Sequence, residues 1–162
     1  MLFKIANNST VYFIILLIAK IVLGHFFYFI CPYILDSETC NVNYTGDIQN
    51  LGGIFFITVI FGPLAETALN QFLPIEGYYR YYGKKDQNKK LPIIWLTAII
   101  FGLGHFYNIL TVVHATIGGI ILATVYIHFR ERGKSGFFFT FLIHVLYNLY
   151  GFLIDDVLHL IT

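Results

Sequence analysis

The chain has 162 residues, 57% of them hydrophobic and only 12% charged, with a net charge of +1. A soluble domain carries about 25% charged residues, so this balance excludes an ordinary soluble globule and points to an integral membrane protein. The basic residues fall in short clusters between apolar runs, which excludes a nucleic-acid footprint.

Five apolar segments follow in chain order, each near the ~20 residues that cross a bilayer. Residues 11–35 are interrupted only by Lys20 and His25, and they lack a small-residue cleavage site, so the segment reads as a retained helix. Residues 51–73 contain Glu66, residues 91–109 contain Trp95 and His105, and residues 110–129 contain His114 and the pair Gly118–Gly119, a tight packing surface. Residues 136–154 carry His144 and Asn148. With no internal repeat or long linker, the expected fold is all-α: a polytopic bundle of about five transmembrane helices. Residues 1–50 would supply a first helix and an outer loop, residues 51–155 the core, and residues 156–162 a short end.

The connections give the orientation. Residues 36–50 hold Asp36, Glu38 and Asp47 and no base. Residues 74–90 hold five bases against two acids, and residues 130–135 hold three against one. Bases thus mark alternate connections, which places the amino terminus inside and the carboxyl terminus outside, in a multi-pass protein of the plasma membrane. Cys31 and Cys40 can pair if both lie outside the cytoplasm.

Polar residues inside the apolar segments are the functional candidates. A carboxylate at membrane depth costs roughly 2.5–3.5 kcal/mol on insertion scales, so such groups face the bundle interior and find partners. In GPLAETALNQ, residues 62–71, Glu66, Asn70 and less closely Gln71 share a face, and Pro63 frees a backbone carbonyl one turn earlier. In FGLGH, Phe101 and His105 lie one turn apart. In HVLYN, His144 and Asn148 are four residues apart, so an imidazole and a carboxamide can both donate into one pocket. Each group alone is equally readable as packing: a neutral acid bonded to a neighbouring helix, a satisfied histidine, an interhelical clamp. Counted from the inner ends of their helices, however, Glu66, His105 and His144 fall at similar depth. Asn108 is a further neutral polar residue near them, and His25 and His128 read as structural or interfacial.

A glutamate-led motif, then Phe-x-x-x-His, then His-x-x-x-Asn, in that order on membrane helices, resembles the CPBP family of intramembrane proteases. That family, also called Abi, includes CAAX prenyl endopeptidases and bacteriocin-processing or self-immunity proteins. The resemblance covers about residues 51–155. It implies that Glu66 activates water, that His105 helps hold it, and that His144 and Asn148 bind the oxyanion, with Thr67, Asn70, Gln71 and Phe101 supporting the pocket. Two positions depart: Thr67 stands where a second glutamate is expected, and Gln71 where an arginine is expected.

The implied function is an intramembrane endopeptidase acting on a peptide or protein substrate, of CAAX type or in bacteriocin-related processing or immunity. Such hydrolysis needs an activated water, a proton carrier and donors for the tetrahedral oxyanion. A metal-free glutamate mechanism is the expectation. Zinc on Glu66, His105 and His144 is the alternative, although no His-Glu-x-x-His occurs in the sequence. The competing function is a catalytically degenerate membrane partner or immunity protein that uses the same pocket for binding.

Overall fold

The computed structural model describes residues 8–35, 37–40, 50–82 and 90–158. These form five helices and one short helical turn, with no strand among the described residues. Lys4, Asp36, Asp47, Lys84, Lys85, Asp86, Lys89 and Thr162 lie outside them.

Helix α1, Ser9–Ile34, starts on Asn8, whose side-chain oxygen accepts from the amides of Thr10 and Val11. Beyond it, the turn Ser37–Cys40 is tied back by a Cys31–Cys40 disulfide, with the two Cα atoms 5.9 Å apart.

Helix α2, Leu51–Tyr82, is capped by Asn50 and contains two π-helical stretches, Phe56–Phe61 and Thr67–Phe72, on either side of Gly62–Glu66. In a π turn each N–H reaches back five residues. Gly62 donates to Ile57 in this way. The next such bond would run from residue 63 to Thr58, but Pro63 has no N–H. The Thr58 carbonyl is served instead by Asn148 Nδ2, at 2.8 Å, from the last helix.

The helix also runs on past residue 73, where the charge pattern suggested that a basic loop begins. Ile75 is fully buried there. Glu76 is gripped by Arg130 through two hydrogen bonds of 2.7 and 3.0 Å and by the Tyr126 hydroxyl at 2.9 Å. Packing and charge thus hold a polar segment helical.

Helix α3, Lys90–Leu103, stops six residues short of the expected end at residue 109. At 14 residues it is about 21 Å long, less than the ~30 Å hydrocarbon core. Asn108 explains the stop. It is extended, and its Oδ1 accepts from the Thr111 amide at 2.8 Å, so it opens the next helix rather than continuing the last. Its own amide donates to the Thr39 carbonyl at 2.9 Å. Asn108 is therefore a cap and not a member of the polar cluster.

Helix α4, Ile109–Glu131, is followed by a turn in which Gly133 takes a φ of +70°. Ser135 then caps α5, Gly136–Val157. Helix α4 forms the centre of the bundle and touches α1, α3 and α5; α5 in turn packs on α2. One core cluster joins Phe101, Leu122, Val125, Phe129 and Ile143; another joins Ile75, Ile93, Ala123 and Tyr126. A Cβ on Gly119 would lie 2.8 Å from the Ala98 Cα, so α3 and α4 approach backbone to backbone.

Large apolar side chains such as Val22, Phe29, Leu69, Trp95 and Phe106 point outward. In water that surface would aggregate; in lipid it is the solvated face. Helices α1, α2, α4 and α5 are each long and apolar enough to cross a membrane, with α3 the short member. The protein is an all-α polytopic membrane bundle.

Candidate active site

Glu66 sits on α2 where the α-helical turn gives way to the second π stretch, with its carboxyl one-third exposed. Its two oxygens face two different histidines. Oε1 is 3.8 Å from His105 Nε2, and Oε2 is 3.4 Å from His144 Nε2. Three residues far apart in sequence, from α2, the turn after α3, and α5, therefore meet at one carboxyl group.

His105 is held by its other nitrogen. Nδ1 lies 2.8 Å from the Phe101 carbonyl, and a carbonyl can only accept, so Nδ1 carries the hydrogen. In the neutral ring, Nε2 then presents its lone pair towards Glu66. The Phe101 ring is buried between the two imidazoles, 4.6 Å from His105 and 5.7 Å edge-on from His144, and fixes their spacing. His144 is 3% exposed, and its Nδ1 has no partner among the described residues.

The supporting residues divide differently from the helical expectation. Asn148 lies one turn from His144 but spends one amide hydrogen on the Thr58 carbonyl. Thr67 and Gln71 are fully buried, with the Thr67 hydroxyl and both Gln71 amide atoms unpartnered among the described residues. Asn70 is only half-buried, so the residues turned inward past Glu66 are the two that depart from the family pattern. His114 stacks on Phe27 at 5.2 Å, His25 meets the Tyr150 hydroxyl at 2.6 Å, and His128 stacks flat on Tyr12 at 3.8 Å.

One residue escaped the sequence reading. Lys20 of α1 is 4% exposed, with Nζ 3.9 Å from the centroid of the Tyr147 ring. The available signal was a lone lysine in the middle of an apolar helix, which hydrocarbon penalises as it does Glu66.

Among the described residues no group of three or more His, Cys, Asp or Glu side chains could hold a metal ion. Glu66 meets each imidazole with a separate oxygen.

A family model described as Rce1-like, type II CAAX prenyl endopeptidase, matches residues 48–150, well over half of the chain. The chain belongs to this Rce1-like family. The matched stretch contains Glu66, His105, His144 and Asn148, while α1 with Lys20 precedes it. No curated protein and no solved structure matches the chain. Membership in the Rce1-like family supports intramembrane endopeptidase activity in general.

Proposed function

We propose that the protein hydrolyses a peptide bond with a water shared between Glu66 and His105. The observation that carries this reading is the His105–Phe101 hydrogen bond. It leaves the Nε2 lone pair 3.8 Å from Glu66 Oε1, so two acceptors face each other across a gap. A molecule with two hydrogens relieves that opposition, and water is the one hydrolysis requires.

In this mechanism Glu66 takes a proton from the water as its oxygen attacks the peptide carbonyl carbon. The carbonyl π pair moves to oxygen, and that oxyanion is received by His144 Nε2 and by the second hydrogen of the Asn148 amide. Glu66 then gives its proton to the leaving amine, the C–N bond breaks, and an acid and an amine remain. The family's printed description supports a substrate of the CAAX prenyl class, a peptide whose lipid group brings it to the bilayer; bacteriocin-related processing or self-immunity is the other substrate setting. Residues 51–155 would form the catalytic core, flanked by 1–50 and 156–162. The pocket would open to the cytoplasmic side of a plasma membrane, with the amino terminus inside and the carboxyl terminus outside. No metal takes part.

A non-catalytic binding role is the second reading, favoured by Thr67 and Gln71, whose uncharged side chains leave three buried polar atoms without partners among the described residues. The two separate on one experiment. Purified protein incubated with a prenylated peptide should yield two fragments whose masses sum to the peptide plus one water. Tight binding with no fragments would favour the second reading.

A further inference from the structure

We propose that Lys20 is the buried counter-charge of the Glu66 cluster, a positioning residue that holds Glu66 as the carboxylate from outside the family-matched stretch. The charge pattern sets up the pairing. Among the described residues, Glu66 and Lys20 are the acid and the base that fall in the apolar middle of a helix; the other described charges lie near helix ends or in turns. Lys20 is eleven residues into α1, about 17 Å along it.

The surroundings are shaped for an ammonium group. Its Nζ lies over the Tyr147 ring, whose negative face attracts a cation. A Cβ on Gly118 would stand 3.6 Å from Nζ, an ordinary contact distance, so the ammonium lies against α4 at Gly118. Tyr147 stands less than one turn beyond His144 on the same side of α5, and His144 Nε2 is 3.4 Å from Glu66 Oε2, so the groups beside the ammonium are Tyr147, His144 and Glu66. Glu66 is the one acid among them. A buried ammonium and a buried carboxyl are each costly alone, and each removes part of the other's cost when both are charged. Glu66 must be a carboxylate to take a proton from water, so α1 would complete the site without touching the substrate. The catalytic part of this inference rests on the protease reading; the charge pairing does not.

Two readouts on the full chain in detergent test it. The first is the infrared C=O stretch of a protonated carboxyl group at neutral pH. Lys20→Met should gain such a band, and the Lys20→Met/Glu66→Gln double variant should lose it, while Lys20→Arg should resemble wild type. The second is peptide turnover, where Lys20→Met should lower kcat about tenfold or more with KM within about threefold, and Lys20→Arg should restore kcat. Thermal melting establishes that each variant is folded, and Lys20→Gln replaces Lys20→Met if the latter is not. A folded variant with no new band overturns the pairing even if its activity falls. If wild type cleaves no peptide, the protease reading fails by itself and the infrared band still decides the pairing.

Discussion

Asn148 of α5 donates to the carbonyl of Thr58 on α2, the acceptor that Pro63 deprives of its own helical partner. A proline in α2 and a carboxamide in α5 thus answer one another, and the bond holds the two helices that carry Glu66 and His144. Asn148→Ala should cost about 1–2 kcal/mol of stability, because it strands a carbonyl away from water. In a Pro63→Ala background, where residue 63 regains an N–H, that cost should shrink by about 1 kcal/mol. Equal costs in both backgrounds, measured by unfolding in detergent, would contradict the clamp.

The α3–α4 contact makes a second, purely structural prediction. Gly119→Ala inserts a methyl group 2.8 Å from the Ala98 Cα and must push two backbones apart, at about 1–3 kcal/mol. Gly77→Ala meets nothing within 4 Å and should instead stabilise α2 by about 0.5–1 kcal/mol. Comparable melting temperatures for the two variants would contradict the close approach.

The apolar runs made the five helices legible, because lipid forces every backbone polar group to be satisfied within a helix. Similar depth in the apolar runs grouped Glu66, His105 and His144, and the structure brings these three side chains together. The positions that eluded the sequence reading depend on contacts between helices. Helix α2 extends to Tyr82 because Arg130 and Tyr126 hold Glu76, and α3 ends early because Asn108 caps α4. Helical spacing put Asn70 nearer to Glu66 than Gln71, but in the π stretch Gln71 and Thr67 are fully buried and Asn70 only half-buried. Lys20 was visible as a letter but not as a member of the site, since nothing along α1 shows that it faces Tyr147.

The Cys31–Cys40 bridge closes a short loop at the end of α1. Wild-type protein purified without reductant should resist maleimide labelling until it is reduced. A Cys31→Ser/Cys40→Ser variant should lose about 2–3 kcal/mol through the added freedom of the unfolded loop. Immediate labelling of both thiols in the folded, unreduced protein would contradict the bridge.

A metal-free mechanism has a direct consequence for chelation. Exhaustive dialysis against a strong zinc chelator should leave peptide turnover unchanged, and added zinc should not raise it. Loss of turnover on dialysis with recovery on zinc would assign the three residues to a metal instead.

The most direct test of the central claim is the turnover of Glu66→Gln, which keeps the size of the side chain and one acceptor oxygen but cannot take a proton from water. With folding verified by its melting temperature, the variant should cleave peptide about 100-fold more slowly or worse, the range expected when a general base is removed. Turnover equal to wild type would show that Glu66 is not the base.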